Sequence, residues 1–170
     1  MKLHTLEELF KDELFDMYNA EVQLTKELPK MAEKADSEDL ADAFRSHLKE
    51  TEGQVDRLEK AFEILGIKIE KETCEAMSGL IKEAHRLIKG VGDKGPLMDV
   101  ALISAAQKVE HYEMASYGTL RTLAEKLGYD DVVVLLEETL EEEKGADEKL
   151  TEIAEEHVND DAMEQRAAAE

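Results

Sequence analysis

Two glutamates stand where apolar residues belong. Glu21 shares a helical stripe with Leu14, Met17, Leu24 and Leu28, three, four or seven positions away. Glu113 lies in the same way among Ala106, Val109, Ser116 and Leu120. A buried carboxylate without a partner costs several kcal/mol. A metal ion, another cation or a shared proton offsets that cost. Divalent iron and manganese do so well, because they accept carboxylate oxygens readily.

Two further stretches interrupt apolar stripes with polar groups. One is His47, Glu50, Thr51 and Gln54, between Phe44 and Leu58. The other is Thr139, Glu142, Glu143, Ala146 and Asp147, between Leu136 and Leu150. Glu110 lies three positions before Glu113 and reaches the same zone. The candidate metal ligands are therefore Glu21, Glu50, Glu110, Glu113, Glu142 and Glu143. His47, Gln54, His111 and Asp147 are additional ligands or supporting groups. The chemistry to expect is binding of two Fe or Mn ions. A hydrogen-bonded polar layer that fixes helix register without metal is the competing expectation. Tyr18, Tyr112 and Tyr117 flank the cluster as core filling or hydrogen-bond donors. No catalytic residue is assigned.

The elements that must position these groups are all helical. Gly and Pro are scarce among the 170 residues, at 9 and 2, and good helix formers dominate. Thr5-Leu-Glu-Glu8 reads as a capping box that starts a first helix through Leu28 and Met31, with a bend expected at Pro29. Asp36 or Ser37 caps a second helix that ends at Leu65, with Gly66 beyond it. A short amphipathic piece spans Cys74–Lys89 before Gly90, Gly92 and Gly95. A third long helix is expected from about Leu97 to Leu127, after Pro96, and a fourth from about Asp130 to Val158. Residues 1–158 read as one domain, and the polar tail 159–170 is expected to fray.

Short loops make each pair of long helices an antiparallel hairpin. The roughly 30-residue connection between hairpins is long enough to run the length of a bundle, which is the ferritin-like topology. A shift of about 92 positions supports this pairing. It puts Glu21 on Glu113, Leu28 on Leu120, Ala32-Glu33-Lys34 on Ala124-Glu125-Lys126, and Glu50 on Glu142. It also puts Gly53 on Gly145, so the hairpins read as related by a pseudo-twofold axis. The repeat favours Glu142 as the inward carboxylate, whereas the helical wheel favours Glu143. Both stay open.

A di-iron bundle commonly takes one Glu from each of two helices and Glu-x-x-His from each of the others. Here the Glu pair is present and the Glu-x-x-His pairs are not. Gly53 and Gly145 follow Glu50 and Glu142 by three, and in the next register the pairs are Thr51/Gln54 and Glu143/Ala146. An unusual, carboxylate-rich site is the expectation.

The formal charge of −21 argues against nucleic acid and against an anionic membrane as partners. No apolar stretch approaches 18 residues and no leader is visible, so the expected location is the cytoplasm. Cys74 is the single cysteine, which rules out an intrachain disulfide and reads as a small buried residue.

Across about Leu6 to Ala154 the chain resembles the YciF-type proteins, a stress-associated branch of the ferritin-like superfamily. The resemblance rests on Tyr18-Asn-Ala-Glu21, His47-Leu-Lys-Glu50-Thr51 with Gln54, and Cys74-Glu-Ala-Met-Ser-Gly-Leu80. Ala105-Ala-Gln-Lys-Val-Glu-His-Tyr-Glu113, Tyr117-Gly-Thr-Leu120 and Glu141-Glu-Glu-Lys-Gly-Ala-Asp147 continue it. It implies a rubrerythrin-like bundle, a homodimer and a candidate metal site. Three functions are compatible: a di-metal oxidoreductase acting on O₂ or peroxide, iron binding without turnover, and a structural dimer. No cysteine-rich electron-delivery module is present, so the electron donor is unassigned: a partner protein or iron itself.

Overall fold

The computed structural model describes residues 3–70 and 72–169, with side chains as far as Glu164. The described residues are all-helical. The helices are α1 (Leu6–Lys34), α2 (Glu38–Leu65), α3 (Glu75–Val91), α4 (Pro96–Leu127), α5 (Asp130–Ile153) and α6 (Asn159–Ala169). A π-helical turn, Ala154–Val158, joins α5 to α6.

Local chemistry sets the ends. Thr5 Oγ1 accepts from Glu8 N at 3.1 Å, and the Glu8 carboxylate accepts from Thr5 N at 3.0 Å, closing the capping box on α1. Between Asp36 and Ser37, the cap is Ser37. Gly66 and Gly128 end α2 and α4 at φ 64° and 76°, the left-handed conformation that a Cβ disfavours. Pro29 does not end α1. It lies in the last two turns, where little of the hydrogen-bond ladder remains to be lost.

Around the core the long helices neighbour one another in the order α1, α2, α5, α4. The turns between α1 and α2 and between α4 and α5 are two or three residues long, so these pairs are hairpins. The connection from α2 to α4 carries α3, which packs mainly on α4. Asp99, in the first turn of α4, holds the other end. Its carboxylate accepts from Asp36 N at 2.7 Å and Ser37 N at 2.8 Å, tying the α1–α2 turn to α4.

Phe10, Leu14, Leu40, Phe62, Leu102, Leu120 and Leu136 are among the fully buried side chains. Each contributes about 1.5–3 kcal/mol by leaving water, a reserve against which a few buried carboxyls can be tolerated. The segment after Val158, expected to fray, is helical through Ala169 and touches α4. The π turn buries Val158 in the core, which carries the helix on across the end of α4. No helix among the described residues is long and apolar enough to cross a membrane.

Candidate metal centre

Four side chains from three helices converge midway along the core. His47 comes from α2, Glu110 and Glu113 from α4, and Glu143 from α5. Each offers one ligand atom, and these atoms lie within 4.8 Å of one another. His47 Nε2 is 3.5 Å from Glu110 Oε1 and 3.6 Å from Glu143 Oε2. Glu21, from α1, adjoins the group and is fully buried, as are Glu113 and Glu143. These carboxylates belong to the packed face because helical spacing puts them there. Glu143 follows Leu136 by seven and precedes Leu150 by seven, and both leucines are buried.

The buried oxygens are poorly supplied with protein donors. Tyr117 donates its hydroxyl hydrogen to Glu21 Oε1. Glu21 Oε2, Glu110 Oε2 and all four oxygens of Glu113 and Glu143 have no hydrogen-bond partner among the described residues. Burial raises the proton affinity of each carboxyl. Glu21 is pushed up to about 8, first by loss of water and then by the charge of Glu143. Glu110 is also pushed up to about 8, chiefly by burial. Glu113 and Glu143 rise well above the usual carboxylate range for the same first reason. Burial pulls the His47 imidazole down, but Glu50 and Glu143 outweigh it and the net direction is up. Such a set can either hold protons or exchange them for divalent cations.

The other expected residues divide clearly. Glu50 is partly exposed and accepts from or shares a proton with His47 Nδ1 at 3.2 Å, so it orients the imidazole from the solvent side. Glu142 turns away from the cluster. Arg57 holds both its oxygens, and Gln54 donates to Glu142 Oε2 at 3.1 Å. Glu143, not Glu142, is the inward carboxylate of α5. Gln54 is buried beside the cluster, with Oε1 free of any described partner. His111 is largely exposed and lies 3.3 Å from Asp147 Oδ2, while Gln107 donates to Asp147 Oδ1 at 3.2 Å. His111 and Asp147 thus form a surface pair outside the cluster.

Arg57 was not singled out from the sequence, although its place three residues after Gln54 puts it on the same polar strip. Nor was Asp99, whose only sequence signal is an acidic residue in a first helical turn. Tyr112 and Cys74 form a separate knot on the α1 side. Tyr112 donates to Asp16 Oδ2 at 2.7 Å, Cys74 Sγ donates to the same oxygen at 2.9 Å, and Cys74 N donates to Asn19 Oδ1 at 2.8 Å. Burial pushes the Cys74 thiol up, away from the reactive thiolate. Tyr18 donates to Glu59 at 2.8 Å on the outer side of α2.

This chain is similar to known proteins along nearly its whole length. It is 51% identical over 160 residues to Protein YciF of Escherichia coli (strain K12), covering 94% of this chain and 96% of that protein. The crystal structure of the E. coli stress protein YciF superposes with a TM-score of 0.87 at 50% identity, covering 92% of this chain and 99% of that one. YcfI of Rhodopseudomonas palustris gives 0.85 at 47% identity, over 88% and 95%. A Xanthomonas campestris protein at 21% identity and a TM-score of 0.75 shares the fold. Residues 5–163 match one family throughout, and the chain accordingly belongs to the family described as a domain of unknown function, DUF892.

Proposed function

We propose that the chain is a ferritin-like four-helix bundle whose core cluster binds divalent iron or manganese. The observation that carries this reading is the set of buried carboxylate oxygens without hydrogen-bond donors. A register-fixing polar layer normally satisfies its members. Here six carboxylate oxygens are left over, and one ligand atom each of Glu110, Glu113, Glu143 and the His47 imidazole lie within 4.8 Å of one another. Oxygen-rich sites with one imidazole suit Fe and Mn.

Two ions are proposed, in unequal positions. His47, Glu110, Glu113 and Glu143 would hold the first. Glu21, with the remaining oxygens of Glu113 and Glu143, would hold the second. In the repeat, Glu143 corresponds to Thr51 and Ala146 to Gln54, so α2 offers no carboxylate at the second position. Thr51 Oγ1 is engaged with His47 O at 2.9 Å, leaving only Gln54 Oε1. The first ion should therefore bind more tightly than the second.

Bound iron or manganese would supply one-electron chemistry toward O₂ or peroxide. The chain's own residues bind and exchange protons. Glu50 fixes the His47 ring, Tyr117 holds Glu21 in place, and the four raised carboxyls release protons as cations replace them. Whether this serves turnover on peroxide or iron binding alone is separated by peroxide consumption with an added reductant. The homodimer implied by the resemblance belongs to the same proposal.

A second reading draws on the raised proton affinities: at neutral pH the carboxyls stay protonated and form a metal-free polar layer. Anaerobic titration with Fe(II) decides between them. Near two ions per chain, lost in Glu21→Ala/Glu113→Ala, supports the metal centre. No uptake after anaerobic loading sinks it.

A further inference from the structure

One cavity reaches the buried cluster from solvent. A cavity of about 700 Å³ opens between α2 and α5, and His47, Glu50 and Glu110 line it. His47 and Glu110 also belong to the four-group cluster, so the cavity floor and the cluster share two side chains. Glu110 is only 2% exposed, and its Oε2 has no described hydrogen-bond partner. Asp39, Asp42 and Glu156 line the same cavity, and all three are exposed. The cavities of about 420 Å³, among α1, α3 and α4, and about 460 Å³, at the far end, include none of the cluster residues.

We propose that this cavity is the route by which hydrated divalent cations reach the cluster. The proposal rests on the metal-binding reading above. Asp39, Asp42 and Glu156 raise the cation concentration where the cavity meets solvent. Glu50 is the next carboxylate inward, in contact with His47, and passes the ion to His47 and Glu110. Steering by a converging set of like charges in a cleft raises association rates by about 10–1,000-fold. Lys149 also lines the cavity and opposes this field, although it is exposed and paired with Glu152 at 3.2 Å.

Gly145 and Ala43 also line the cavity. A Cβ built at Gly145 meets nothing within 4 Å, so a larger side chain enters open space rather than backbone. Gly145→Phe and Ala43→Phe are designed to add bulk at the cavity wall without altering a cluster residue. Asp39→Asn/Asp42→Asn/Glu156→Gln removes the collecting charge at exposed positions, where ion pairs such as Asp42 with Arg45 contribute at most about 1 kcal/mol.

The test is stopped-flow uptake of Co²⁺, followed by the visible absorbance of the bound ion, with rate and final amplitude read separately. The expected result is wild-type amplitude with uptake slowed about tenfold in the charge-neutralised variant, and at least that in the obstructed ones. Lys149→Glu should speed uptake. Glu63→Gln/Asp131→Asn removes two charges at the opposite end and should change the rate less than twofold. Normal amplitude with unchanged rates in all cavity variants overturns the route alone. No bound cobalt in the wild type overturns the metal reading, and the route with it.

Discussion

Tyr117 on α4 gives its hydroxyl hydrogen to Oε1 of Glu21 on α1, joining two fully buried side chains 96 residues apart in sequence. Among the described residues it is the one hydrogen bond that the Glu21 carboxylate accepts. Removing it in Tyr117→Phe leaves Glu21 wholly dependent on a cation or a proton. The metal-free protein should lose about 1–2 kcal/mol in chemical denaturation. The Glu21 carboxyl should move to still higher proton affinity, so metal uptake should need a higher pH. An unchanged pH midpoint for uptake would show that Glu21 takes no part in binding.

The pH dependence of the metal-free protein has a definite sign. Glu21 and Glu110 lie at about 8 in the fold, against an ordinary 4.5. Between those values the folded chain keeps protons that the unfolded chain has lost. Stability is therefore full below pH 4.5 as far as these groups go, and it falls as pH rises toward 8. Thermal melts of the metal-free protein should drop between pH 5.5 and 8.5. Glu21→Gln/Glu110→Gln should flatten that slope, and saturating Mn²⁺ should reverse it. A slope that persists in the double variant would assign the effect to other carboxylates.

Glu142 and Glu143 are neighbours with opposite surroundings. Glu143→Gln should weaken the first metal ion by at least 10–100-fold, the range already seen for groups one step removed from a metal. Glu142→Gln should leave metal affinity within about twofold and cost about 1 kcal/mol through loss of the Arg57 pair, which is half-buried. Equal effects of the two substitutions on Mn²⁺ titrations would contradict the inward position of Glu143.

Asp99 makes a purely structural prediction. Asp99→Ala removes the acceptor for two backbone N–H groups in the α1–α2 turn. It should destabilise by about 2–3 kcal/mol, since hydrogen bonds to a charged group are the stronger kind. Metal stoichiometry at low temperature should be untouched.

The helices were legible because their ends carry local chemistry: Thr5 and Glu8, Ser37, Gly66, Pro96 and Gly128 act within one turn of where they stand. Glu21 and Glu113 were legible because an acidic residue on an apolar stripe contradicts the helical period. The choice between Glu142 and Glu143 was not settled by sequence, because the repeat and the wheel point to different residues. The structure follows the wheel: burial obeys the angular position on α5, while the identity match of Glu50 with Glu142 concerns two residues that both lean outward. The roles of Arg57 and Asp99 depend on partners 85 and 63 residues away, respectively, which no local pattern encodes. Nor does sequence spacing tell that His111 pairs with Asp147 at the surface while His47 turns inward. The polarity of the tail after Val158 carries no signal of the π turn from which α6 continues along α4.

Crystals grown without metal, soaked in Fe(II) under argon and measured at the iron absorption edge, test the central claim most directly. The account predicts a strong anomalous peak among His47, Glu110, Glu113 and Glu143, with a weaker second peak beside Glu21. A cluster without an anomalous peak, with its carboxyls in hydrogen-bonding distance of one another, would contradict it.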